Sequence, residues 1–128
     1  MGGSDAVTIH GTDYATPDGT CIRDYVHVED LIDAHVMAMG ALRPGDCRAY
    51  NVGIGRGYSV REVIEACRRV TGVKFKAIEG PRRPGDPPVL YANPAKINGE
   101  LKWAAEHKNL SEIIESAWRW RKANPRGY

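Results

Sequence analysis

Three arginines stand where guanidinium groups could bind a phosphate. Arg82 and Arg83 are adjacent in a loop rich in proline and glycine, and Arg23 lies at the edge of a second loop. A guanidinium fork donates two parallel hydrogen bonds to a phosphate, and prolines limit the entropy that is lost when such a loop is fixed. The pattern predicts that arginines from two loops hold a pyrophosphate. The alternative is that they are ordinary solvated charges.

Other reactive side chains do not form a recognisable site. The four histidines do not supply the converging ligands of a zinc site, so no metal is expected. Gly53-Ile54-Gly55-Arg56-Gly57 resembles a dinucleotide-binding loop, but Tyr58 stands where the fingerprint requires a third small residue, and we interpret the segment as a turn. Cys67 falls on the apolar face of a predicted helix, where a thiol is inert.

The composition is that of one globular domain of 128 residues. A net charge of +2 does not favour nucleic acid, and no apolar run approaches the roughly 20 residues of a membrane span. Cys21, Cys47 and Cys67 are odd in number and widely spaced, which indicates reduced thiols in the cytoplasm. Residues 1–7 lack the features of a signal peptide and are expected to be a flexible leader or a truncation point.

Periodicity predicts strands that alternate with helices, which favours an α/β fold. Ser59 and Glu62 form a capping box at the start of one helix, and Gly72 ends it. Apolar residues at helical spacing predict an amphipathic helix from Val28 to Leu42. The predicted strands are 7–9, 24–28, 49–52 and 75–78, and the predicted helices are 28–42, 60–71, 94–101 and 110–123.

Four blocks of sequence, in order and at matching spacing, resemble those of UDP-glucose 4-epimerases, which are extended short-chain dehydrogenase/reductases. They are Gly11-Thr12-Asp13-Tyr14 with Arg23-Asp24-Tyr25-Val26-His27-Val28, Tyr50-Asn51-Val52-Gly53, Pro81-Arg82-Arg83-Pro84-Gly85-Asp86, and Trp118-x-Trp120 with Asn124-Pro125. The resemblance implies an α/β fold that is the C-terminal part of an extended Rossmann-type epimerase, with a small mixed sheet and about four helices. It implies that the N-terminal NAD-binding Rossmann core is missing and that residues 8–128 are the UDP-sugar-binding portion.

The resemblance also implies roles for individual residues. Arg23 and Arg83 would bind the diphosphate, which agrees with the independent argument from their charge. Asp86 would contact the uridine ribose, and Tyr25 and Val60 would line the nucleotide site.

Two further positions depart from a common family pattern. His10 stands where an aromatic residue often packs on the uracil, and an imidazole stacks there with less area. Leu90 stands where some members carry a tyrosine that limits the room around the 2-substituent of the sugar. We therefore expect the pocket to accept N-acetylated UDP-sugars as well as UDP-glucose and UDP-galactose.

The motif that performs the family's chemistry is missing from the sequence. The family oxidises the sugar at C4 by hydride transfer to NAD, with the tyrosine of Tyr-x-x-x-Lys as acid and base. No tyrosine here has a lysine four residues later, so the chain alone is expected to bind no NAD and to be inactive. UDP-sugar is the expected partner, and the family is homodimeric. The alternatives are a stand-alone nucleotide-sugar-binding module and a fragment that associates with itself through surfaces exposed by truncation.

Overall fold

The computed structural model describes residues 5–127, in which short strands and four helices follow one another. The strands are β1 (Ala6–His10), β2 (Ile22–Arg23), β3 (Tyr58–Ser59), β4 (Lys76–Gly80) and β5 (Val89–Leu90). The helices are α1 (Val28–Ala41), α2 (Val60–Thr71), α3 (Ala95–Leu101) and α4 (Leu110–Ala123). The predicted α/β class and the four helices are confirmed. Of the predicted leader 1–7, residues 1–4 lie outside the described part, and β1 begins at Ala6.

The strands form two small sheets. In the first, β1 lies parallel to β4, with Ala6 opposite Lys76 and His10 opposite Gly80. In the second, β2 is the central strand, antiparallel to β3 and parallel to β5, so this sheet is mixed. The first long loop, residues 11–21, leads into β2, and the Pro/Gly loop, residues 81–88, leads into β5, so the two loops end on neighbouring strands.

The first turn of α2 has the predicted capping box. The backbone N–H of Glu62 donates to Ser59 Oγ at 3.1 Å, and the Glu62 carboxylate accepts from the Ser59 N–H at 2.7 Å. The Ser59 hydroxyl also donates to the Asp18 carboxylate, which ties the helix start to the first long loop. Gly72 ends the helix in the left-handed conformation, at φ 70°.

We expect Ser59→Ala to lower the free energy of unfolding by about 1–2 kcal/mol, because it removes both the helix cap and the partner of Asp18. Urea denaturation followed by circular dichroism measures the change. Glu62→Gln is the matched control, since a glutamine side chain still accepts from the Ser59 N–H. An equal loss in both variants would contradict a specific role for the hydroxyl.

Two clusters of buried side chains hold the helices together. One joins α1 to α3 and the segment after it, and its buried members are Ala34, Ile97, Trp103 and Ala105. The other joins α2 to α4 through Tyr58, Ala66 and Leu110. Buried Asp30 connects α1 to the first cluster: its carbonyl accepts from Trp103 Nε1 at 3.1 Å, and its carboxylate accepts from two backbone N–H groups, those of Glu106 and His107.

The apolar side of α1 points away from these clusters. Asp30 and Ala34 are the buried residues of this helix, whereas the residues with the apolar spacing are exposed, with Val28 at 62%, Ile32 at 55%, Val36 at 59% and Met39 at 71%. The sequence pattern correctly predicts the helix, but the packed side is set by Trp103 and the Asp30 hydrogen bonds. No helix in the described chain is both long and apolar enough to cross a membrane.

Two predicted strands are wrong. Residues 49–52 form no strand, because no backbone within residues 5–127 runs beside them to complete a ladder. Residues 24–27 form no strand either, since the strand lies earlier, at Ile22–Arg23. There the Asp24 carboxylate accepts from the N–H groups of Ile54 and Ala92, and His27 already caps α1.

Candidate functional site

Strand β2 brings several of the predicted site residues to one place. Arg23 lies opposite Leu90 of β5 and opposite Tyr58 of β3. The N–H of Val60, at the start of α2, donates to the carbonyl of Cys21 at 3.1 Å. Residues that are far apart in sequence are therefore gathered around a strand of two residues.

Arg23 is held in place by Asp86. One terminal nitrogen of its guanidinium donates to Asp86 Oδ1 at 2.8 Å, and the other donates to the Ile22 carbonyl at 2.7 Å. The two side chains are 23% and 33% exposed. Burial lowers the pKa of Arg23, but the hydrogen bond and charge of Asp86 outweigh it and raise that pKa. The result is a fixed, fully charged guanidinium with N–H groups left for an anion.

Arg83 lies three residues before Asp86, in the loop that this ion pair ties to β2. The N–H of Asp86 donates to the Arg83 carbonyl at 3.3 Å, which closes a turn that includes Gly85 at φ 80°. The Arg83 side chain is exposed, and its guanidinium donates to no other residue in the described part of the chain. Asp86 thus binds Arg23 through its carboxylate and closes a backbone turn with Arg83, and the guanidinium of Arg83 remains available to a ligand.

Arg82 is engaged differently from its neighbour. Its Nε donates to Asp13 Oδ1 at 2.7 Å, and its guanidinium carbon lies 4.2 Å from the centre of the Tyr14 ring. The hydrogen bond from Arg82 lowers the pKa of Asp13, and the same bond raises the pKa of Arg82. The sequence treats Arg82 and Arg83 as a pair, and the structure separates them.

A cavity of about 590 Å³ opens at the end of β2. Arg23 and Leu90 line it together with Asp24, Asn51 and Tyr91, and Arg83 is not among its lining residues. The Asp24 carboxylate accepts hydrogen bonds from the backbone N–H groups of Ile54 and Ala92. Sequence reasoning missed Asp24 and Tyr91 as parts of this site. The available signal was a carboxylate directly after Arg23.

Two other predicted site residues, Tyr25 and His10, do not line this cavity. Tyr25 packs against the cluster of Tyr58, Ala66 and Leu110, and burial raises its pKa. His10 ends β1 in the other sheet, opposite Gly80, where the Pro/Gly loop begins. The structure thus places His10 at the entrance of that loop and away from the cavity that Arg23 and Leu90 line.

Two of the three glycines between residues 53 and 57 serve packing. A side chain at Gly53 would overlap Asp24 and Ala92, and one at Gly57 would overlap Ile22 and meet Tyr91, whereas Gly55 has φ 74° and no such overlap. The dinucleotide fingerprint needs a third small residue where the helix packs on the strand, and buried Tyr58 stands there. This loop therefore does not fit the fingerprint of an NAD site.

His27, Glu29 and His107 form the tightest group of metal-type ligands in the described residues. Both ring nitrogens of His27 are already engaged: Nδ1 accepts from the Glu29 N–H at 3.1 Å, and Nε2 lies 2.7 Å from Ser116 Oγ. Its ring lies 4.2 Å from that of His107. His27 is accounted for as the N-cap of α1, and Glu29 Oε2 lies 3.6 Å from His107 Nε2. Cys67, whose pKa is raised by burial, is equally unsuited to reaction as a thiolate.

Comparisons with known proteins identify the family of the chain. The family model described as GDP-mannose 4,6 dehydratase matches residues 10–117. A probable UDP-arabinose 4-epimerase 3 of Oryza sativa subsp. japonica is 52% identical over 94% of this chain and 30% of its own length. A UDP-glucose 4-epimerase of Halalkalibacterium halodurans is 46% identical over 100% of this chain and 39% of its own length.

Solved structures show the same relationship. The UDP-glucose 4-epimerase of Bifidobacterium longum, in complex with NAD+ and UDP, superposes with a TM-score of 0.88 at 41% identity over 96% of this chain and 36% of that one. The UDP-Glc/GlcNAc 4-epimerase of Campylobacter jejuni gives a TM-score of 0.80 at 45% identity over 93% and 36%. The chain spans about a third of the length of these relatives. It belongs to the extended short-chain dehydrogenase/reductase family, in which its relatives are UDP-glucose and UDP-arabinose 4-epimerases.

Proposed function

We propose that this chain is the nucleotide-sugar-binding portion of a UDP-sugar 4-epimerase that interconverts UDP-glucose and UDP-galactose. The observation that carries the proposal is the Arg23–Asp86 ion pair, which ties strand β2 to the loop that also carries the exposed Arg83. Relatives named as UDP-glucose and UDP-arabinose 4-epimerases support a uridine diphosphate as the common part of the ligand. Three unpaired cysteines favour a reducing compartment, which we take to be the cytoplasm.

The proposed roles follow from position and charge. Arg23 and Arg83 hold the diphosphate from two sides of the Asp86 turn, and Asp86 accepts from the ribose while it keeps Arg23 in place. We assign Tyr25, Val60 and His10 to the nucleotide end, which then lies beside the Pro/Gly loop and outside the cavity that Arg23 and Leu90 line. Leu90, on the strand next to Arg23, faces the sugar end.

Binding and orientation are the only steps that we assign to these residues. In the complete enzyme NAD would accept and return the hydride at C4 of the sugar, and neither the glycine loop nor any tyrosine of this chain suits that task. We therefore expect the chain alone to hold the UDP-sugar without epimerising it. The NAD site and the acid/base tyrosine are assigned to a part of the enzyme outside these 128 residues.

Calorimetric titration of UDP and of UDP-glucose into the chain tests the proposal. Saturable binding that depends on both Arg23 and Arg83 supports it. The same binding, with epimerase activity appearing only when a separate NAD-binding protein is added, favours a stand-alone module. No binding would contradict both.

Self-association is the competing function, and the exposed apolar side of α1 favours it. Val28, Ile32, Val36 and Met39 form a continuous stripe of the kind that helices bury against each other. The homodimer that is usual in the family is a separate proposal, since its interface is expected outside this chain. Light scattering that rises with protein concentration, and that falls when Ile32 and Val36 are changed to serine, would support association through α1.

The identity of residue 90 predicts a tolerant sugar pocket. Leu90 is 60% exposed at the edge of the cavity, and it lacks the ring that would crowd an N-acetyl group. We expect the chain to bind UDP-glucose and UDP-N-acetylglucosamine with affinities that differ by less than about threefold. Leu90→Tyr should lower the affinity for UDP-N-acetylglucosamine about tenfold.

UDP is the control ligand, because it lacks the hexose that Leu90 would face, so its affinity should not change in Leu90→Tyr. Fluorescence or calorimetric titration of all three ligands measures these effects. A wild-type chain that binds UDP-glucose but rejects UDP-N-acetylglucosamine would contradict the prediction.

A further inference from the structure

Arg82 is next to the proposed phosphate-binding Arg83, yet its side chain is bound to the opposite loop. Its Nε donates to Asp13 Oδ1 at 2.7 Å, and one terminal nitrogen donates to the Asp13 carbonyl. The plane of the guanidinium lies over the Tyr14 ring. An approaching phosphate would have to displace a carboxylate and uncover an aromatic ring.

The first loop is shaped to receive this side chain. Gly11 has φ 86°, and a methyl group there would overlap both the Tyr14 ring and the aliphatic stem of Arg82. The Tyr14 side chain below is only 5% exposed. Gly11, Asp13 and Tyr14 thus form a notch that holds Arg82, and we call it the Arg82 notch.

The notch is one of three tethers on the Pro/Gly loop. Before it, the N–H of Gly11 donates to the Gly80 carbonyl at 3.0 Å. After it, the Asp86 carboxylate accepts from Arg23 at 2.8 Å. Arg83 lies between the second and third tethers, so its backbone is held on both sides while its side chain is unengaged.

We propose that Arg82 is a positioning residue that fixes Arg83 and Asp86 for the diphosphate and ribose without touching the ligand. The inference rests on the proposed function, because it takes UDP as the ligand of that loop. Without the notch, the loop must be ordered each time UDP binds, and that entropy is subtracted from the affinity. The prolines at positions 81, 84, 87 and 88 limit the cost but leave the residues between them free to turn.

UDP titrations at several salt concentrations separate a positioning role from direct contact. We expect Arg82→Ala combined with Asp13→Ala, which removes both charges of the pair and leaves the net charge unchanged, to weaken UDP binding about tenfold and to leave the salt dependence of the dissociation constant as in the wild type. Arg83→Ala should weaken UDP binding about 30-fold or more. It should also make the dissociation constant less dependent on salt, because a charge that faces the phosphate is lost.

The partner residue supplies an independent variant. We expect Asp13→Ala to lower the affinity for UDP as much as Arg82→Ala does. The double variant should bind UDP no more weakly than either single variant, because both changes break the same tether. Arg82→Lys should not restore affinity, since an ammonium has neither the fork nor the flat face that the notch holds. Hydrogen exchange of residues 81–88 in the free chain should accelerate in Arg82→Ala and stay unchanged in Arg83→Ala.

Each remaining result overturns a specific claim. A flattened salt dependence in the double variant, or rescue by Arg82→Lys, would show that Arg82 is itself a phosphate ligand. Unaltered affinity in Asp13→Ala would show that the contact between Arg82 and Asp13 has no role in binding. A wild-type chain with no affinity for UDP would instead contradict the proposed function itself.

Discussion

Arg23→Ala is expected to weaken UDP binding about 100-fold or more, the largest effect on affinity of any single substitution at this site. The substitution removes two or more charge-assisted hydrogen bonds to the diphosphate, each worth about 1.5–3 kcal/mol. It also leaves the Asp86 carboxylate without its partner, and Asp86 is 33% exposed beside the place where the phosphates would lie. Repulsion between the carboxylate and the ligand therefore adds to the loss.

The double variant Arg23→Ala with Asp86→Asn is the matched control. Asparagine still accepts a hydrogen bond from the ribose but carries no charge, so we expect it to recover about five- to tenfold of the lost affinity. The free energy of unfolding should change by less than about 1 kcal/mol in either variant, since the ion pair is partly exposed. A double variant that binds UDP more weakly than Arg23→Ala would show that Asp86 contributes through its charge.

Trp103→Ala is expected to lower the free energy of unfolding by about 3–5 kcal/mol, the largest effect on stability. The side chain is 3% exposed and is the largest member of the cluster that joins α1 to α3. Its Nε1 also donates to the Asp30 carbonyl at 3.1 Å, so removal of the ring leaves both a cavity and an unpaired acceptor. Thermal and urea denaturation measure the loss.

Trp103→Phe separates packing from the hydrogen bond. Phenylalanine keeps most of the apolar contact but cannot donate to Asp30, so the expected loss is about 1–3 kcal/mol. If Trp103→Phe were as unstable as Trp103→Ala, the hydrogen bond would dominate over the packing. A loss below about 1 kcal/mol in Trp103→Ala would contradict the assignment of this tryptophan to the core.

Local signals in the sequence were enough to predict where the helices lie. The Ser59–Glu62 capping box and the left-handed Gly72 depend on residues within one or two turns, and both are present as predicted. Such features are fixed by short-range hydrogen bonds and can be predicted from a short window of sequence.

Features that depend on residues far apart in the sequence could not be predicted from a short window. The second sheet pairs Ile22–Arg23 with Val89–Leu90, strands too short to show an alternating pattern. The outward orientation of α1 is fixed by Trp103, far along the chain. The difference between Arg82 and Arg83 depends on Asp13 and Tyr14, so two adjacent arginines look equivalent until the loops are brought together.

The paired action of Arg23 and Arg83 can be observed directly in solution. The Nε–Hε signals of ¹⁵N-labelled arginine, assigned with the Arg23→Ala, Arg82→Ala and Arg83→Ala variants, report on each guanidinium during a titration with UDP. We predict that the Arg23 and Arg83 signals shift together with a single dissociation constant, while the Arg82 signal, held by Asp13, stays in place. If only one of the two arginines responds, or if neither does, the diphosphate is not held between the two loops.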